Sequence, residues 1–281
     1  MSDNPLKQYF RSAAIHLALP SNGQFYPGGS ITMPETGEVP VYPMTAIDEI
    51  TYKTPDALFN GSAVVDVIKS CVPAIHDPWQ MPTVDMNTIL AAIRIATIGQ
   101  TIPIESQCPK CNEVTDYEFD LRVLIDKKPD VSAYNKSMDI GDLKIFFRPL
   151  SYKEVNENNQ TQFEEQKLAQ VLNSSAATDE DKITVLSEAF TRIAAFTVNT
   201  IARSINSIQT PSAVVNDPTF IIEFLRNAEA DTFNAIKARI IKLKSIENIE
   251  PLHITCPVEE CGHKYDQAIM LDMTSFFARN S

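Results

Sequence analysis

The spacing of apolar residues changes period several times along the chain, and each change predicts an element. Met86, Ile89, Leu90, Ile93 and Ala96 recur at three- and four-residue steps, one face of a helix, with Gly99 as its stop. Upstream, Thr45-Ala46-Ile47-Asp48 has capping-box spacing. Thr54-Pro55 puts a proline at a first helical position, and Asn60-Gly61 closes that short helix. Ser62 to Cys71 predicts another helix, with Val64, Val65 and Ile68 on one side and Pro73 beyond its end. From residue 100 the period drops to two. Thr101 to Ser106 and Val114 to Leu121 alternate as half-buried strands, and Gly141-Asp142 between Met138-Asp139-Ile140 and Leu143 to Phe147 predicts a hairpin. Three or four antiparallel strands are expected to pack together here.

Helical spacing returns after residue 149. Ser151 and Glu154 form a second capping box, and Asn173 to Ala177 break the helix that it opens. Thr178-Asp179-Glu180-Asp181 open a long helix in which Ile183, Leu186, Phe190, Ile193, Ile201, Ile205 and Ile208 fall in register. Val185, Ala189 and Phe196 widen the stripe, so it is expected to be buried on more than one side. Asp217-Pro218 caps a helix with Phe220, Ile221, Phe224 and Leu225. Asp231 is expected to cap a last one with Phe233, Ile236, Ile240 and Leu243 inward. Lys237, Arg239, Lys242 and Lys244 near its end suit the helix dipole. Leu252 to Thr255 and Lys264 to Asp266 read as strands, and Met270 to Phe277 as a short amphipathic tail. Residues 1–44 are rich in turn signals. Ala14 to Leu19 and the proline-spaced Val39 to Met44 are extended, an arm expected to lie on its own domain or on a neighbouring subunit.

Candidate chemistry sits in the cysteines. Cys108-Pro-Lys-Cys111 and Cys256-Pro-Val-Glu-Glu-Cys261 each lie between two predicted strands, with gaps of two and four residues. Two such turns supply the four thiolates that tetrahedral zinc takes, and a complete set leaves no open position for water or substrate. The reading is a structural Zn2+ on Cys108, Cys111, Cys256 and Cys261, with His263 behind the sulfurs or in place of one. Four reduced cysteines without metal are the plain alternative. The fold class is therefore α+β, mostly helical, with a small antiparallel β region forming a zinc ribbon interrupted by a helical insert. Its parts are an N-terminal arm with short strands (1–44) and a helical segment with the first half of the ribbon (45–148). A helical insert (149–250) follows, then the second half of the ribbon with the C-terminal tail (251–281).

Net charge is −12, with acids spread along the chain, so a phosphate backbone is a poor partner. Glu105, Glu113, Asp116, Glu118, Glu259 and Glu260 surround the cysteines, which weighs against the alternative of a zinc-ribbon nucleic-acid-binding protein. No apolar run is long enough to span a bilayer, and the first residues lack the form of a signal peptide. The chain has no phosphate loop, dinucleotide fingerprint, zinc-protease helix or nucleophile elbow, and its four histidines are scattered; no enzyme activity is expected. Cys71 reads as a small buried hydrophobe, and Trp79 as a buried loop anchor.

A long ordered run carries a resemblance. Gln24-Phe25-Tyr26-Pro27, Val39 to Ile50, Thr54 to Gly61, Val67 to Pro73, Asp77-Pro78-Trp79 and Ile104 to Cys111 resemble the T4-type bacteriophage baseplate protein family, over roughly residues 5–125. The C-terminal cysteine pair fits more loosely. The resemblance implies a baseplate hub subunit or hub assembly chaperone of a contractile tail, without a catalytic site. It implies other hub proteins and the tape-measure protein as partners, and the infected host cytoplasm or the virion tail baseplate as location. A homo-oligomer is compatible with it. The proline-laden arm (20–44) and the insert helices (151–250) are the expected contact surfaces, with a helix-binding groove between insert helices as the mechanism.

Overall fold

The computed structural model describes residues 4–54, 60–174, 179–269, 271, 276 and 277; for residues 165–174 and 179–190 it describes the backbone only. The helix expected at Pro55 to Phe59, the stripe from Ile183 to Phe190 and most of the C-terminal tail lie outside the described residues or side chains. The fold is α+β and divides into two compact units, Met1–Pro129 with Glu247–Ser281, and Asp130–Ile246.

The first unit is built on a buried helix. Its described elements, in chain order, are β1 (Ile15–Leu17), β2 (Val39–Val41), α1 (Ala46–Tyr52), α2 (Ser62–Cys71), α3 (Thr83–Thr97), β3 (Thr101–Gln107), β4 (Val114–Asp120), α4 (Arg122–Asp126), and later β9 (Leu252–Thr255) and β10 (Lys264–Gln267). Helix α3 buries Val84, Asp85, Thr88, Ile89, Leu90, Ala91, Ala92, Ile93 and Arg94, more than one face of a helix can hold. The arm lies on its own unit. β1 and β2 pair antiparallel with Ile15 opposite Val41, and Leu17, Leu19, Val39 and Val41 are buried. The turn after β1 is fixed by Gly23, in the left-handed region at φ 77°, where a Cβ would stand 2.6 Å from Met33.

Polar side chains on α3 fasten the other segments. Asp85 accepts from the backbone N–H of Ser21 (2.8 Å), the Ser21 hydroxyl (2.6 Å) and the Tyr26 hydroxyl (3.0 Å). Thr88 donates to the Leu124 carbonyl, Asn87 to that of Glu247, and Thr97 accepts from Met44 N–H. Arg94 donates to the Phe276 carbonyl and lies over that ring at 5.5 Å. Arg11 closes the arm from the other side, donating to the Pro43 and Ser70 carbonyls and to Asp48. The capping box at Thr45 and Asp48 forms as expected, and Cys71 is fully buried. Trp79 is half-buried rather than an enclosed anchor; its neighbours Pro78 and Met81 are the buried residues of the loop.

The second unit corrects three expectations. It contains β5 (Met138–Ile140), β6 (Leu143–Phe147), α5 (Tyr152–Ser174), α6 (Asp179–Arg203), β7 (Ile205–Gln209), β8 (Val214–Val215), α7 (Pro218–Asn227) and α8 (Ala230–Lys244). The hairpin at 138–147 does not join the cysteine strands; it forms an antiparallel sheet in the order β5-β6-β7-β8. The long helix stops at Arg203, and Ile205 to Gln209 pairs with β6. A register shift leaves Asn206 unpaired between Ser207 opposite Phe146 and Ile205 opposite Phe147. That bulge lets Ile205 and Ile208, three apart, both face the core. Their spacing therefore imitates a helix. The Ser151–Glu154 box and the Asp217 cap form as expected. Asp231 instead sits in the first turn of α8, behind the N-cap Glu229. Among the described residues no helix is long and apolar enough to cross a membrane.

Asp85 makes stability depend on pH. Burial raises its carboxyl from 3.8 to about 6, against the lowering effect of the Ser21 and Tyr26 donors. A folded value above the unfolded one gives stability that is full below about pH 4 and lost as pH rises through 6. The difference corresponds to on the order of 2–3 kcal/mol. Urea unfolding of wild type and Asp85→Asn between pH 4 and 7 should show the wild type losing stability relative to the variant by that order across the window.

Candidate metal centre

Two hairpins carry the four cysteines. β3 and β4 pair antiparallel from Thr101 opposite Asp120 to Gln107 opposite Val114. β9 and β10 pair from Leu252 opposite Gln267 to Thr255 opposite Lys264. Cys108 and Cys256 follow directly on β3 and β9, so each leaves its strand into the turn with its N–H still bonded across the hairpin. Cys108 N–H donates to the Glu113 carbonyl (2.9 Å) and Cys256 N–H to the His263 carbonyl (2.8 Å).

The unequal gaps are absorbed inside the second turn. In the first, Asn112 N–H donates to the Cys108 carbonyl, and Asn112 is left-handed at φ 60°. In the second, Gly262 N–H donates to the Val258 carbonyl, and Gly262 is left-handed at φ 51°. The turn ahead of Cys261 thus repeats the turn ahead of Cys111, with Val258 in the place of Cys108. Pro257 and Val258 are the added residues, and Cys256 still delivers its sulfur.

The structure brings all four predicted ligands together. Their Sγ atoms lie within 4.8 Å of one another. Cys108 Sγ is 3.8 Å from Cys261 Sγ, and Cys111 Sγ is 3.6 Å from Cys256 Sγ. A tetrahedral ion with metal–sulfur bonds of about 2.3 Å separates its ligands by about 3.8 Å, whereas a disulfide needs about 2.05 Å. The donor set therefore fits a metal ion, and the cysteines are free thiols. His263 is outside the cluster; its ring stacks on Tyr265 (10° between planes, centroids 6.2 Å apart) and its carbonyl takes the Cys256 N–H.

The electrostatics ask for a cation. Burial raises the Cys108 thiol, but N–H groups of Cys111 and Lys110 and neighbouring sulfurs outweigh it and bring it to about 7. At Cys256 the Val258 N–H lowers the thiol, yet burial and the three other sulfurs push it up to about 12. One thiolate forms readily and each further one meets its charge, the situation that a metal ion relieves. Cys108 and Cys256 are buried, Cys261 is half-buried and Cys111 exposed.

A polar knot below the sulfurs escaped the sequence reading. Buried Ser106 on β3 bonds the Tyr265 hydroxyl (3.0 Å) and donates to Gln267 Oε1 (2.7 Å), both on β10. The only local signal was a serine at an inward position of an alternating strand. These bonds and the cysteines join the Glu247–Ser281 segment to the first segment of the same unit.

A family model described as T4 bacteriophage base plate protein matches residues 19–278. No curated protein and no solved structure matches the chain.

Purified protein should hold one thiolate-bound metal ion per chain, measured by elemental analysis. Cys111→Ser and Cys261→Ser should each lose it. Unfolding free energies from denaturant titration should fall by on the order of 3 kcal/mol or more, because binding energy at such a site is folding energy.

Proposed function

The chain belongs to the T4 bacteriophage base plate protein family, and from that membership we propose that it is a non-enzymatic hub subunit or hub assembly factor of the contractile-tail baseplate. The family match over residues 19–278 carries the phage-baseplate role; the hub assignment extends it. Its partners on this reading are other hub proteins and the tape-measure protein, met in the infected host cytoplasm and, for a permanent subunit, retained in the virion tail.

What supports a binding rather than a catalytic role is how the buried and half-buried charged groups are used. Asp85 holds the arm, Arg94 holds Phe276, and Glu154 caps α5 while pairing with Arg148 at 2.6 and 3.0 Å. Each is occupied in joining chain segments. The metal on this reading is zinc in a ribbon, since four sulfurs at tetrahedral spacing suit zinc, and a closed set makes it structural. The exposed acids around it, Glu113, Glu118, Glu259 and Glu260 among them, favour protein over nucleic-acid partners.

Infection with phage unable to make the protein should yield heads without completed tails in electron micrographs; normal tails in normal number would overturn the role. Mass spectrometry of purified mature particles should then find the chain if it is a permanent subunit and miss it if it is an assembly factor.

A further inference from the structure

Two short elements of the first unit leave their apolar side chains uncovered. A 3-10 helix, Pro5–Tyr9, precedes β1, and none of its residues is buried. Leu6 and Tyr9 stand three apart, which in a helix of three residues per turn puts them on one side, and Phe10 follows at its end. On α1, Ile47 and Ile50 are likewise three apart and share a side. These residues are 61–77% exposed. Among the described residues neither the Tyr9 nor the Phe10 ring has an aromatic contact, and the Tyr9 hydroxyl has no hydrogen bond. The other large apolar residues left exposed, among those described, fall singly on separate elements.

Arg11 ties the two elements together. It follows Phe10 and donates to Asp48 of α1 at 3.2 Å, and Asp48 also takes the Ser70 hydroxyl at 3.0 Å. The inner side of α1 is spent on its own unit, with Tyr52 buried against Phe277. Ile47 and Ile50 are what α1 shows outward, beside the 3-10 helix that Arg11 anchors. At these exposures, side chains of this size leave on the order of 600 Å² uncovered, the upper end of the largest patch on a typical monomer. Short helices draw their stability from packing an apolar face, and the 3-10 helix packs none within the chain.

We propose that this patch is where two copies of the chain join across a two-fold axis, with Ile47 and Ile50 of each at the centre and Leu6, Tyr9 and Phe10 around them. Area points to the occupant. Two such patches face to face remove about 1,200 Å², the lower bound of a specific, stable interface, before any rim residue is counted. Charge permits the contact. At −12 most faces of two copies repel, but here Arg11 is matched by Asp48, and Lys7 and Lys53 stand against Glu49. A patch that is apolar at its centre and nearly neutral at its rim meets its own image without burying an unpaired charge, and a two-fold contact closes at two copies. The inference does not depend on the baseplate role.

The test is the mass of the full chain in solution. Sedimentation equilibrium should give twice 31.3 kDa at about 10 μM, with no growth beyond two copies at about tenfold higher concentration. Ile50→Glu and Tyr9→Glu, one on each element, should each weaken the dimer by at least about thirtyfold, since the two-fold brings the introduced glutamates of both copies together in the apolar centre. Both positions are exposed in the single chain, so circular dichroism should be unchanged, and either variant decides the matter if the other does not fold. Ile241→Glu, also at an exposed position but on α8, should leave the dimer intact. A chain that is still monomeric at about 100 μM overturns the proposal, as does an assembly that grows past two copies or is indifferent to both variants. A monomer whose binding to another tail protein is lost in the same variants gives the patch to a different partner, and overturns it as well.

Discussion

Helix α3 cannot be buried unless several distant segments arrive to satisfy it. An apolar helix can be enclosed by any hydrophobic neighbour, but Asp85 and Arg94 at its buried faces need particular donors and acceptors. Asp85 takes three donors from the arm, and Arg94 takes the carbonyl of Phe276 from the far end of the chain. Thr88 and Asn87 draw in Leu124 and Glu247 by the same logic. Leaving one such group unpaired costs about 1–3 kcal/mol. The first unit, made of two separate stretches of chain, is thereby bound to fold as one body.

The metal centre fastens the same two stretches at a second place. β3 follows α3 after Gly99, so the first cysteine pair hangs from the helix that Asp85 and Arg94 organise. The second pair hangs from the stretch whose residues Tyr265, Gln267, Phe276 and Phe277 are already engaged with the first, Phe277 by an edge contact with Tyr52 at 4.9 Å. Lys127 and Glu250 pair where the chain leaves the unit and comes back, but both are well exposed and such a pair contributes little. The closure of the unit around the insert therefore rests on sulfur, hydroxyl and aromatic contacts rather than on surface charge.

What the sequence disclosed was local. The boxes at Thr45–Asp48 and Ser151–Glu154 and the cap at Asp217 are complete within four residues, so they were legible. The cysteine pairs were legible because a knuckle fixes its own spacing, though only the folded turn shows how Val258 takes the place of Cys108 in the longer one. What failed was non-local. Asp85 went unread, because nothing near it announces Ser21, sixty-four positions earlier. The hairpin at 138–147 took as its partner a strand beyond two helices, not the nearer β4. The bulge at Asn206 then disguised that strand as helix, since it moved Ile205 and Ile208 onto one face.

The division of labour between charges follows from distance. At physiological salt a charge is screened beyond about 8 Å, so the net charge of −12 governs solubility and non-specific repulsion but not what a particular groove accepts. In the second unit the described charges pair locally, Arg148 with Glu154 at 2.6 Å and Arg203 with Glu157 at 2.9 Å. Glu154 is already committed to the cap at Ser151, so it cannot also turn to a ligand without releasing the start of α5. Glu157 pairs with Arg203 where the two side chains are 41% and 38% exposed, so that contact is screened and contributes less. Of the two pairs, the one that also carries the cap at Ser151 is the better shielded, and it holds the fold more firmly than its charge alone would.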